Sequence, residues 1–229
     1  MNLAAFFSGG KDSMYAIYNA KKSGHEIVVL FTIQPKSDES HLLHFPNIAQ
    51  TKLQSQSMNI PQIIISINDI NVDIEILELN NLIKTAKKTF DFDGIVHGGI
   101  SSLYQKNKFE VLCQDNNLKL ISPLWQKNAS SYMKELLNNN FEFIISSVSS
   151  DGLDQSWLGK AINYSEFEKL ENLSKKFQFN LNFEGGEAET FVTNCPLFKN
   201  RIKIIKSNKI WDGVRGRFEI VESKLENNA

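Results

Sequence analysis

Ser8-Gly9-Gly10-Lys11-Asp12-Ser13 sets two glycines, two hydroxyls and an ammonium between an apolar run, Leu3 to Phe7, and a segment of helical periodicity. That order suits an anion. Glycine lets the backbone approach a phosphate closely, and the N–H groups at a helix start, with the dipole behind them, favour negative charge. Ser8, Ser13 and Lys11 add further donors. Asp12 is the odd member, because a carboxylate beside phosphate is repulsive unless a Mg2+ ion lies between them or the side chain caps the helix; both roles stand. Read as turn chemistry alone, the glycines would supply positive φ and Asp12 or Ser13 the cap.

Two later segments carry similar material. Gly98-Gly99-Ile100-Ser101-Ser102-Leu103-Tyr104-Gln105-Lys106 leads into a helix-like run holding Lys108, Glu110 and Cys113. Gly98 and Gly99 could be a strand-end turn, Ser102 a helix cap and Cys113 plain core; equally, glycines after a fourth strand stand at the carboxyl edge of an open sheet, where ligands bind. Glu184-Gly185-Gly186-Glu187-Ala188-Glu189-Thr190-Phe191 groups three carboxylates around two glycines. Acids that close repel one another unless solvated or met by a cation, so a solvated acidic turn and a cation-binding segment are both open readings.

The elements that must position these residues follow from periodicity. Short apolar runs at Leu3–Phe7, Glu26–Ile33, Gln62–Ile67, Gly94–His97 and Lys119–Ile121 read as strands. Between them, Asp12–Ser23, Asn47–Met58, Ile74–Thr89 and Ser102–Asn116 carry apolar residues three and four apart, as helices do. Alternating strand and helix predicts an α/β fold, a parallel sheet flanked by helices. From residue 122 the pattern predicts a smaller C-terminal α+β lobe, giving domains at 1–121 and 122–229. It contains helices around Ser130–Asn139 and Tyr164–Gln178 and a strand over Phe141–Val148. Arg201–Ser207, Lys209–Trp211 and Val214–Val221 read as a strand meander, and Glu226–Ala229 as a frayed tail.

Composition narrows the class. The 229 residues are 41% hydrophobic and 22% charged, ordinary values for a globular chain. Twenty-five basic and 26 acidic residues leave a net charge of -1, so no overall field draws the molecule to nucleic acid or to an anionic membrane. Cys113 and Cys195 are too far apart in sequence for a CxxC pair and too few for a secreted disulfide framework, which fits a reducing cytoplasm. No leading segment has a signal-peptide pattern, and no apolar run has the roughly 18 residues that a membrane helix needs.

SGGKDS is not the GxxxxGK[ST] loop of kinases and GTPases, because its glycines are adjacent. It resembles the loop of the N-type ATP pyrophosphatases, whose fold is the adenine nucleotide alpha hydrolase-like, HUP-type sheet. With the later segments, the chain resembles the diphthine-ammonia ligase family, which completes diphthamide on elongation factor 2. The likeness runs through Leu43-His44-Phe45-Pro46-Asn47, Gly98 to Cys113, Pro123-Leu124-Trp125-Gln126, Asp151-Gly152-Leu153, Trp157-Leu158-Gly159, the EGGExETF segment and Cys195-Pro196-Leu197-Phe198. Departures are Lys106 and Lys108 where arginine is common, Ala188 where an aromatic is common, and Phe183 where glycine is common.

The resemblance implies that ATP, with Mg2+, activates the diphthine carboxylate as an acyl-adenylate, which ammonium-derived ammonia converts to the amide with release of AMP and pyrophosphate. It implies ATP binding by Ser8, Gly9, Gly10, Lys11, Asp12, Ser13, Thr32 and Gly98, with adenine near Phe31 to Ile33. Catalytic roles fall to Lys11, Asp12, Ser102, Gln105, Glu187 and Glu189, and substrate contacts to Glu110, Glu184, Gly186 and Thr190. Diphthine carries a trimethylammonium, which suits acidic or aromatic surroundings. Neither cysteine stands at a nucleophile turn, so free ammonium is the expected nitrogen source. Elongation factor 2 bearing diphthine is the expected partner, with no membrane or direct nucleic acid, and a homodimer is compatible with the sequence. The rival readings are a tRNA-modifying ATP pyrophosphatase and a nonenzymatic adenine-nucleotide sensor. Paired sulfur-handling cysteines are missing for the thiolating form of the first, while the fold alone does not exclude the second.

Overall fold

The first strand shows why the parallel sheet forms: Leu3, Ala4 and Ala5 are wholly buried, as in a strand covered on both faces. The computed structural model describes residues 1–35, 47–67 and 71–227. Among these, five strands, β1 (Asn2–Phe6), β2 (Glu26–Pro35), β3 (Gln62–Ile67), β4 (Gly94–Val96) and β5 (Lys119–Ile121), pair in parallel in the order β3-β2-β1-β4-β5. Helices α1 (Lys11–Lys22), α2 (Thr51–Met58), α3 (Val72–Ala86) and α4 (Leu103–Asp115) intervene along the chain. The sheet and helices thus realise the expected α/β class.

Strand order reverses at the β1/β4 pair, so the turns leaving those two strands open at a topological switch point, where open α/β sheets bind ligands. Phe6, Phe31, Leu79, Ile83, Phe92, Phe109, Leu112 and Cys113 belong to the core beneath it. The Phe6 and Phe109 rings stand 4.9 Å apart, joining β1 to α4. Cys113 is therefore core material.

The described residues divide into two compact units: those within Met1–Ser8, Asp12–Phe45 and Asn59–Trp125, and those within Gly9–Lys11, Pro46–Met58 and Gln126–Ala229. The second unit contains α5 (Ala129–Asn138), β6 (Glu142–Val148), α6 (Tyr164–Phe177), β7 (Ala188–Asn194), β8 (Asn200–Trp211) and β9 (Gly216–Asn227). Its sheet runs β7-β6-β9-β8 with antiparallel pairing, an α+β arrangement.

Three expectations change here. Ala188–Asn194 is a strand, not part of an acidic turn: Ala188, Thr190, Phe191 and Val192 are buried, and β-branched residues favour the extended chain. Arg201 to Trp211 is one strand with register shifts near Lys206, and those irregularities break the sequence periodicity. The tail is not frayed at Glu226, which lies opposite Arg201 in β9 and pairs with Lys203 at 2.6 Å.

Residues 47–58 form a short 3-10 turn (Ile48–Gln50) and then α2, and they group with the antiparallel sheet. Their polar face explains it. Asn47 donates through Nδ2 to Phe218 O and accepts from Ile220 N, while Ser57 Oγ donates to Asn200 O. Buried polar groups need such partners, and the strands supply them. Leu43 to Pro46 lie outside the described residues.

Candidate functional site

In the first unit, Ser8 and Ser13 flank the turn that leads from β1 into α1. Ser8 N donates to Ser13 Oγ at 3.3 Å, and the two hydroxyl oxygens stand 3.0 Å apart, so these serines close the helix start on itself. Asp12 occupies the first turn, where the dipole favours a carboxylate. Gly98, on the turn after β4, packs against this start: a Cβ there would lie 2.8 Å from Ser13 N and 2.9 Å from the Asp12 carbonyl carbon. Only glycine allows that approach of two backbones.

Thr32 is wholly buried, its hydroxyl donating to Phe7 O at 2.8 Å and accepting from Gln62 Nε2 at 2.7 Å. That side chain ties β2 to its neighbours. Ser102 realises the capping alternative, accepting from Gln105 N at 3.3 Å at the head of α4. Glu110 pairs with Lys106 at 3.5 Å, and the Lys106 ammonium stands 4.4 Å from the centroid of the Trp125 ring. Lys108 pairs with Asp73 at 3.6 Å. Lys106 and Lys108 therefore each have an acidic partner.

In the second unit, Lys11 is only 1% exposed, rare for a lysine unless it is paired. Its Nζ donates to Asn182 O at 2.6 Å and stands 5.3 Å from the centroid of the Phe183 ring; its main-chain N donates to Thr190 Oγ1 at 3.1 Å. The carbonyl and the ring face fix the ammonium in place. Phe183 has φ +65°, a costly conformation for a bulky side chain.

The acidic segment is a cross-linked turn leading into β7. Glu187 Oε1 accepts from Asn180 N at 2.9 Å and from Asn180 Nδ2 at 2.8 Å, while its Oε2 is buried and accepts no hydrogen bond among the described residues. Ser149 holds the other side, its N donating to Glu187 O and its hydroxyl to Gly186 O. Glu184 N donates to Asn182 Oδ1 at 3.4 Å, and Glu189 lies opposite Ser147 on β6. The second unit thus gathers Lys11, Thr190 and the Glu184–Glu187 turn, whereas the first gathers Ser8, Asp12, Ser13 and Gly98. Asn182 and Gln54 carry contacts to this machinery that motif reading missed. The signal available for Gln54 was a helix, Thr51–Met58, with too few apolar residues to explain its burial.

Burial pushes both thiols up to about 12, with the Glu110 charge adding to the effect at Cys113. Neither forms a thiolate near neutrality, so neither is a nucleophile. In the unfolded chain the thiols lose protons near 9.0, well below their folded values. Over that window the unfolded state holds fewer protons, and stability falls by ~1.4 kcal/mol per pH unit for each thiol. Below the window both states are protonated and neither thiol contributes. Denaturant titrations across it are expected to show this loss, and C113A with C195A to flatten it.

Among the described residues no group of three or more His, Cys, Asp or Glu could hold a metal, and no helix is long and apolar enough to cross a membrane. Residues 1–120 match the family described as diphthamide synthase N-terminal domain, and residues 128–225 its C-terminal domain. A protein of Bos taurus named diphthine-ammonia ligase is 34% identical, with 92% of this chain and 85% of that protein covered. The protein of the same name from Homo sapiens is 33% identical over the same shares. One from Saccharomyces cerevisiae is 30% identical, covering 93% of this chain and 36% of the relative. Matches to both domains, in order and along nearly the whole length, agree with the glycine-rich strand-to-helix junction and the acidic turn described above: this chain belongs to the diphthamide synthase family.

Proposed function

We propose that this chain amidates diphthine on elongation factor 2 to diphthamide, consuming ATP and ammonium and releasing AMP and pyrophosphate. The observation that carries the reading is a glycine-rich strand-to-helix junction, tightly packed at Gly9 and Gly98, in a chain that matches both diphthamide synthase domains. A carboxylate resists nucleophiles because of its charge. One of its oxygens attacks the α-phosphorus of ATP, the bond to the bridging oxygen breaks, and pyrophosphate departs with the electron pair. The nitrogen of ammonia then attacks the acyl carbon, AMP leaves, and the nitrogen sheds a proton to give the amide.

Ser8, Gly9, Gly10, Lys11 and Ser13 would bind the phosphates, and Gly98 would set the loop. Thr32 would meet the nucleotide through its main chain, since its hydroxyl is engaged within the sheet. Charge develops on the departing pyrophosphate, and a fixed ammonium at Lys11 stabilises it without reorganising at the moment of reaction. The junction fits a Mg-nucleotide in the chemistry of its donors: Asp12 would hold Mg2+ with the phosphates, and the ion supplies charge neutralisation when bound.

Glu187, whose Oε2 is a buried acceptor among the described residues, and Glu189 would act on the reacting groups with Ser102 and Gln105. Glu184, Gly186, Thr190 and Glu110 would contact the diphthine side chain. Residues 1–121 would serve nucleotide binding and 122–229 the protein substrate, in the cytoplasm, with a homodimer compatible with the reading.

Incubating the chain with diphthine-bearing elongation factor 2, MgATP and ammonium is expected to release pyrophosphate. The modified peptide is expected to exchange one oxygen for an NH group, read by mass spectrometry. Pyrophosphate release that requires tRNA, or no release under any of these conditions, would overturn the assignment.

A further inference from the structure

Gln54 lies on α2, 45 residues beyond Gly9, and is wholly buried. Its Nε2 donates to Gly9 O at 2.9 Å and to Val192 O at 2.8 Å, spending both amide protons on main-chain carbonyls. Gly9 O also accepts from Val192 N at 3.0 Å. The sheet order leaves β7 at an edge, so Val192 uses its outward N–H and C=O to hold Gly9 and Gln54. Oε1 of Gln54 accepts no hydrogen bond among the described residues. Turning the amide over would press that oxygen against two carbonyl oxygens, so the orientation is set by the carbonyls it grips.

We propose that Gln54 is a positioning residue for the phosphate loop, an inference that rests on the ATP-binding reading of Ser8 to Ser13. In a trans peptide the C=O and the following N–H point to opposite sides. Holding Gly9 O toward β7 therefore turns the Gly10 N–H the other way and fixes the plane of that loop peptide. Gly9 has φ +79°, and a Cβ on it would lie 2.3 Å from Gln54 Oε1. Gln54 thus excludes a side chain from the loop as well as orienting it. Through Val192 the same amide ties the loop to β7, the strand whose Thr190 accepts from Lys11 N.

The test compares the wild-type chain with Gln54→Leu and Gln54→Glu, using MgATP titration calorimetry and steady-state kinetics. Gln54→Leu keeps the bulk and removes both donors. Gln54→Glu keeps the shape and sets a carboxylate against the two carbonyls, and it carries the test if the leucine variant does not fold. Ser57→Ala, which frees α2 from Asn200 without touching the loop, controls for lost stability. The expected result is a rise of about tenfold in the Kd and KM for ATP, as for one lost pair of polar contacts, with the KM for ammonium unchanged. Ser57→Ala is expected to keep its KM for ATP. A Gln54 variant whose KM for ATP stays within about twofold of the wild type overturns the inference, as does a rise that Ser57→Ala matches at equal loss of Tm. A wild-type chain that does not bind ATP sinks the ATP reading itself, which is a separate outcome.

Discussion

Lys11→Met is expected to lower ATP-dependent pyrophosphate release by a factor of about 10³, the upper range for removing one preorganised donor from developing charge. The side chain is 1% exposed and held by Asn182 O and the Phe183 ring, so the ammonium needs little reorganisation to act. Its loss also leaves the Asn182 carbonyl without that donor, at a cost of about 1–3 kcal/mol in stability. Two separable readouts follow: Tm falls by a few degrees, while turnover per folded molecule collapses. Lys11→Arg is not expected to rescue, because a planar fork neither fits the buried space nor presents a point charge. Turnover within about tenfold of wild type in folded Lys11→Met would remove Lys11 from the chemistry.

Gly98→Ala is the second large effect. The added methyl would meet Ser13 N at 2.8 Å and the Asp12 carbonyl at 2.9 and 3.0 Å, all main-chain atoms that cannot swing aside as a side-chain tip can. Overpacking of this kind costs about 1–3 kcal/mol, and relief requires the start of α1 to move. Displacing groups by ~1 Å can cost about 10² in rate, so kcat/KM for ATP is expected to drop by that order while the protein remains folded. Gly24→Ala, in a turn with open space where Cβ would go, provides the contrast. It is expected to lower Tm without changing kcat/KM. Equal kcat/KM for the two alanine variants would show that the approach of Gly98 to α1 does not matter for nucleotide use.

The parallel sheet was legible because its strands are short, apolar and separated by helical periods, each a local property. Gln62–Ile67 and Lys119–Ile121 appear with the bounds that periodicity predicts. Ser102 as a cap was legible as one of two alternatives, because a cap needs only a hydroxyl and a nearby amide. The strand Ala188–Asn194 is hidden from a local reading: it opens on a weak strand former next to two glycines, and the nearby carboxylates give the segment the composition of a solvated turn. The pairing of Arg201 to Trp211 into one strand was hidden by the shifts near Lys206, since a bulge breaks the two-residue period.

By itself the sequence determined a glycine-rich stretch with two hydroxyls and a lysine between a strand and a helix, the alternation that builds a parallel sheet and the family to which both domains match, because each depends on residue type and spacing along the chain. Tertiary structure alone decided that Lys11 is buried against Asn182 and Phe183, that Thr32 spends its hydroxyl inside the sheet, and that Gln54 grips Gly9 and Val192. Those contacts join residues separated by 25 to 172 positions, and a contact between distant segments leaves no mark in local periodicity.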